Sequence, residues 1–162
     1  MKTGKNDYIC GYVCPPGMPC GESGRRVNRN ILKLLRLMKP IVTSAAPAAI
    51  GPYSQAIEVN GFVYASGQLP IDPATGAFPE GGVQEQTRQS LLNVKAILAE
   101  AGLTLANVVK TTVYLADMGD FAAMNEIYSQ FFSQPFPARS AVAVKALPKG
   151  ALVEVEVIAA RG

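Results

Sequence analysis

Residues 83–132, VQEQTRQSLLNVKAILAEAGLTLANVVKTTVYLADMGDFAAMNEIYSQFF, change their apolar period twice, and those changes decide the fold. Val83, Thr87, Leu91, Val94, Leu98 and Ala101 recur every three or four residues, which predicts an amphipathic helix that stops at Gly102. Val109, Thr111, Val113 and Leu115 then alternate with Lys110, Thr112 and Tyr114, the period of a strand. Asp120 is placed to cap a second helix, with Phe121, Met124, Tyr128 and Phe131 or Phe132 facing inward.

Strands flank this unit on both sides. Lys39–Thr43 reads as a short edge strand, with Pro40 tolerated near its start. Glu58-Val59 and Phe62–Ser66 flank Asn60-Gly61, the strongest short hairpin signal. Ser140–Val144 and Leu152–Ala160 are two closing strands, with a turn at Pro148-Lys149-Gly150. The predicted order is β-β-β-α-β-α-β-β, an α+β arrangement with both helices on one face of a sheet.

In the last strand, LVEVEVI, Val153, Val155 and Val157 point one way, and Leu152, Glu154, Glu156 and Ile158 point the other. The valine face suits the helices. The other face mixes carboxylates with branched apolar groups, and a two-faced sheet with helices for one face implies that another subunit covers the second.

The 162 residues, 49% apolar and 17% charged, fit a single domain with a core of ordinary density. No apolar run approaches the length of a membrane span. The formal charge of +3 is unevenly spread. Residues 1–37 hold seven basic side chains against two acidic ones, a net +5, and the rest carries eight against ten, a net −2. A mildly acidic body argues against nucleic-acid binding by the folded part. The chain has no histidine, which excludes Ser-His-Asp and Cys-His catalytic sets and the usual zinc deaminase chemistry.

Cys10, Cys14 and Cys20 all lie in the first 37 residues, at spacings that match no common zinc pattern. Pro15, Pro16, Gly17 and Pro19 favour loop or disorder there, and Ile31–Leu37 is a short amphipathic stretch. Residues 1–37 are therefore expected to be a dispensable basic extension. The domain would occupy 38–162, with Met38 as a natural start; targeting to an organelle by the extension stays open.

Three motifs outside the helices carry chemistry. Gly51-Pro52-Tyr53-Ser54-Gln55-Ala56 reads either as a rigid turn or as a site loop that presents Tyr53. Ser66-Gly67-Gln68 ends a strand, and Gly67 marks a bulge or a place where a ligand approaches the backbone. In Pro137-Ala138-Arg139-Ser140-Ala141-Val142, Arg139 has small same-face neighbours at Ala141 and Ala143. Its guanidinium fork matches a carboxylate, although a surface arginine paired to a glutamate is the commoner arrangement. Glu154 and Glu156 share a face, and periodicity alone does not rank them.

GPYSQA (51–56), ASGQLPIDPATG (65–76), the run from Gln86 to Phe132, PARSAVAV (137–144) and LPKGALVEVEVIA (147–159) together resemble the RidA/YjgF family. The likeness covers Met38 to about Arg161 and none of the extension. It implies a chorismate-mutase-like α+β sheet assembled as a cytoplasmic homotrimer, with sites in the clefts between subunits. It implies hydrolysis of 2-imino and enamine acids such as 2-iminobutanoate and 2-iminopropanoate to 2-keto acids and ammonia, with no cofactor and no metal. Residue by residue, Arg139 would bind the substrate carboxylate, Glu154 would position the attacking water, and Tyr53 would stand at the cleft. Ser66, Gly67, Ala141 and Asn125 would contact the substrate, Gly67 and Ala141 through their backbone. Two departures bear on specificity: Ala141 stands where many relatives have Cys or Thr, and the loop from Phe132 to Pro137 is shorter than in some.

Such a kit suffices for the reaction. A protonated imine is already a good electrophile, so holding it by its carboxylate beside a positioned water is enough. Three other functions fit parts of the same pattern: a non-catalytic binder of small carboxylates, an RNA-directed translation inhibitor or ribonuclease, and chorismate mutase activity by fold alone.

Overall fold

The computed structural model describes residues 38–162; the expectations made for residues 1–37 and their cysteines lie outside the described residues. In chain order the elements are β1 (Lys39–Ile41), β2 (Ala56–Val59), β3 (Phe62–Gln68), α1 (Val83–Glu100), β4 (Val108–Leu115), α2 (Phe121–Phe131), β5 (Ala138–Ala143) and β6 (Val153–Ala160). This is the order that the sequence periods predict. The six strands form one sheet, β1-β2-β3-β6-β4-β5. All neighbours are antiparallel except β4 and β5. A parallel pair needs a crossover connection, and α2 supplies it.

Local chemistry sets the joints. Asn60 and Gly61 have φ of 51° and 79°, the left-handed pair of a two-residue hairpin turn. Helix α1 ends where Gly102 adopts φ 70°. The Gly102 N–H then donates to Ala99 O at 2.9 Å and the Leu103 N–H to Leu98 O at 2.8 Å, satisfying two terminal carbonyls. The second helix starts differently from the expectation. Asp120 occupies its N-cap position but makes no side-chain cap bond. The capping carboxylate is that of Asp117, which accepts the Gly119 N–H at 2.8 Å and opens a short 3-10 turn before α2.

The core lies between the helices and one face of the sheet. Val63, Val113, Leu115, Val153, Val155 and Val157 from the strands meet Leu91, Val94, Ile97, Leu98 and Met124 from the helices, all of them buried. The predicted inward series of β4 is shifted at its start. The register slips between Val108 and Lys110, so Val108 takes the buried place and Val109 turns out to solvent. A bulge adds one residue without a partner, and alternation cannot foresee it. On the sheet's other face Phe62, Tyr64 and Val142 stay 42%, 46% and 45% exposed, an uncovered apolar surface.

Candidate active site

The loop 43–55 and the end of β3 build one side of the site. Gln55 is buried, and its amide donates to the carbonyls of Thr43, Ala46 and Pro47 while its Oε1 accepts the Thr43 N–H at 2.7 Å. One side chain thus serves four backbone groups that would otherwise be orphaned. The Ser66 hydroxyl donates to Ser54 O at 2.7 Å, and its N–H donates to Gln55 O at 3.0 Å. The GPYSQ and SGQ motifs are therefore stitched together, and the hydroxyl of Ser66 keeps only its acceptor lone pairs for a ligand. Tyr53, 51% exposed, stands on this loop. Its hydroxyl accepts the Ile50 N–H at 3.4 Å.

Tyr53 and Gly67 line an open cavity of about 460 Å³ together with Gln68, Leu69, Ile71 and Lys149. Buried Asn93 of α1 holds its far wall, donating to Leu69 O at 3.0 Å and Ile71 O at 2.9 Å.

Glu154 lies against Gly67. It sits between buried Val153 and Val155 and points to the face opposite the helices, in register with Tyr114 of β4. Burial first, and the charge of Glu156 second, push its carboxyl above the ordinary carboxylate value. A Cβ on Gly67 would come within 2.8 Å of the Glu154 Cδ and overlap its carboxylate oxygen. Glycine is needed here for close approach. We expect Gly67→Ala to fold, because the far end of a flexible side chain can move aside, yet to lose turnover as Glu154 is displaced. A thermal melt and an activity assay on that variant read the two effects separately.

Arg139 belongs to a different cluster. It is in register with Thr111, a fully buried residue of the helix-facing side. Its guanidinium reaches over α2, donates to Asn125 Oδ1 at 2.8 Å, and lies over the rings of Tyr128 and Phe121. Among the described residues its guanidinium meets no carboxylate within ion-pair distance; the ion pairs formed are Arg88–Glu85 and Arg161–Glu58. A half-buried guanidinium with donors to spare has the chemistry to take a carboxylate. Ala141, in register with Val113, packs partly against the core beside Arg139. Among the described residues strand β5 is a sheet edge, so no described strand pairs with the backbone on its outer side.

The candidate site residues therefore fall into two groups within one chain. Arg139, Asn125 and Ala141 form one on the helix side. Glu154, Gly67, Ser66 and Tyr53 form the other at the end of β3 and the open face. The single chain does not bring Arg139 and Glu154 together. The sequence places Gln55 in a motif and Tyr128 on an inward helix face without revealing the bonds they make, and it does not single out Asn93. A signal existed for Asn93, an amide between Leu91 and Val94 on an apolar helix face.

A family model described as Endoribonuclease L-PSP matches residues 43–161. The 2-iminobutanoate/2-iminopropanoate deaminase of Capra hircus is 55% identical over 122 residues, covering 75% of this chain and 89% of its own. A Rid-family protein of Yersinia pestis has a crystal structure with TM-score 0.74 at 52% identity, covering 76% of this chain and 98% of its own. The TdcF structure of E. coli, with bound serine, has TM-score 0.73 at 47% identity over 76% of this chain and 99% of its own. With the six-stranded mixed sheet, the two helices on one face and the motif order all matched at this identity, the chain belongs to the RidA/YjgF family.

Proposed function

We propose that this protein hydrolyses small 2-imino acids, 2-iminobutanoate and 2-iminopropanoate among them, to 2-keto acids and ammonia. The observation that carries the proposal is the division of labour across the sheet: a guanidinium without a carboxylate partner among the described residues on one side, a half-buried carboxyl against the bare backbone of Gly67 on the other. Arg139 takes the substrate carboxylate. Glu154 holds a water against the carbon of the protonated C=N and accepts a proton as the water oxygen bonds to that carbon, giving a neutral carbinolamine. Glu154 then returns that proton to the nitrogen, the C–N bond breaks as the hydroxyl proton passes back to the carboxylate, and ammonia leaves with the carbonyl formed. The goat relative carries this activity in its name, and E. coli TdcF shows that a relative's fold binds a small amino acid.

Because Arg139 and Glu154 face opposite ways, the site is completed between copies, in a closed trimer that also covers Phe62, Tyr64 and Val142. Light scattering is expected to give three times 17.1 kDa for the full chain. The decisive experiment mixes subunits. Arg139→Ala and Glu154→Gln proteins, each inactive alone, are unfolded and refolded together. Random assembly recovers about a quarter of wild-type sites if each site takes one residue from each of two neighbours. The assay follows keto acid release from an imine generated in situ. No recovery sinks the shared site, and a wild-type rate at the buffer value sinks the enzyme. RNA incubated with the same protein tests the reading raised by the family model's description, which the net −2 of the body does not favour.

A further inference from the structure

The guanidinium of Arg139 stands with its central carbon 4.5 Å from the centroid of the Tyr128 ring and 5.5 Å from that of Phe121. Tyr128 is fixed in its turn. It is buried, its hydroxyl shares a 2.9 Å hydrogen bond with Thr111, and its ring packs on Phe132 with centroids 4.5 Å apart. Thr111 is the residue in register with Arg139 on the neighbouring strand. Two strands, the helix and the cation thus close a ring of contacts: Arg139 beside Thr111, Thr111 bonded to Tyr128, Tyr128 under Arg139. Burial pushes the Tyr128 phenol up, so it stays neutral at ordinary pH and offers its ring face as a quadrupole, not a phenolate.

A guanidinium recognises a carboxylate only when its planar fork is turned to meet both oxygens, and a long flexible stem loses affinity to every other orientation. One donor is already fixed by Asn125. A single hydrogen bond leaves the plane free to turn about it. A ring face beneath the plane removes that freedom. We propose that Tyr128 is a positioning residue: its ring sets the plane of the Arg139 guanidinium so that the donors not spent on Asn125 meet the substrate carboxylate. This rests on the carboxylate reading of Arg139 given above.

The test uses the full chain and 2-ketobutyrate as an inert probe of carboxylate binding. Tyr128→Leu removes the ring; Tyr128→Met does the same while filling more of the space. Either is expected to raise the Kd of the probe and the KM about tenfold, with kcat changed far less. Thr111→Val combined with Tyr128→Phe keeps the ring and removes both hydroxyls, so no buried orphan is left, and is expected to bind within about twofold of wild type. A merely structural tyrosine would move kcat, KM and melting temperature together and would not spare the ring-keeping pair. The proposal is overturned if a folded Tyr128→Leu or Tyr128→Met protein binds the probe as wild type does. It is equally overturned if the ring-keeping variant loses as much as they do. If wild-type protein itself binds no probe, the deaminase reading fails, and the positioning claim is read directly from the Arg139 Nε–H resonance. A ring-current shift that disappears in Tyr128→Leu supports the platform, and an unmoved resonance removes it.

Discussion

Arg139→Ala is expected to abolish binding of 2-keto-acid analogues and of substrate alike. The guanidinium is half-buried, has no carboxylate partner among the described residues, and keeps several donors free after its 2.8 Å bond to Asn125. A charge-assisted contact to a carboxylate in such a setting is worth about 2–5 kcal/mol on truncation, so affinity is expected to fall more than about 30-fold. Calorimetric titration with 2-ketobutyrate measures it. Arg139→Lys is expected to recover little. A lysine ammonium is a point charge, cannot offer the two parallel donors, and lacks the planar group whose central carbon stands 4.5 Å over the Tyr128 ring. An Arg139→Ala protein that still binds the analogue normally would place the carboxylate elsewhere and dismiss the whole site.

The contrast between what the sequence announces and what it conceals follows from range. Period-3.6 and period-2 patterns are local, so α1, α2, β4 and β6 are legible at once, and the valine face of β6 packs where alternation puts it. The exceptions are also local but have no periodic signature. The bulge at Val109 and the cap taken by Asp117 in place of Asp120 depend on where a neighbouring strand ends and how a 3-10 turn is threaded. The site is harder. Arg139 and Glu154 can be singled out from motifs, yet their placement on opposite faces depends on strand order, in which β6 comes to lie between β3 and β4 although β5 precedes it in the chain. Gln55 looked like part of a chemical motif and proves to be the clamp of the loop before it. Its role is invisible until residues 43–47 are folded back against it.

Glu154→Gln is expected to behave in the opposite way to Arg139→Ala: analogue affinity largely kept, turnover down by roughly a hundredfold or more, the usual cost of losing a general acid-base group. Shape is preserved, so the close approach over Gly67 persists. Glu156→Gln, on the same strand face but not against Gly67, is expected to cost much less. The pH dependence distinguishes them further. Burial and the Glu156 charge raise the Glu154 carboxyl above its ordinary value. The acidic limb of the rate profile is therefore expected at a higher pH than an ordinary glutamate would give, to move down in Glu156→Gln, and to vanish in Glu154→Gln. Stability follows with a fixed sign. A carboxyl raised in the folded state favours the native protein at low pH, and that contribution is lost as pH rises through the raised value. Glu154→Gln is therefore expected to melt higher than wild type at neutral pH, with the difference gone near pH 4, because the amide carries no charge to desolvate. Paired melting curves and rate profiles on the two glutamine variants decide the matter. If Glu156→Gln is the more damaging, the water is held by the other carboxylate. If Glu154→Gln gains no stability at neutral pH, burial does not raise this carboxyl, and the displaced acidic limb is not expected either.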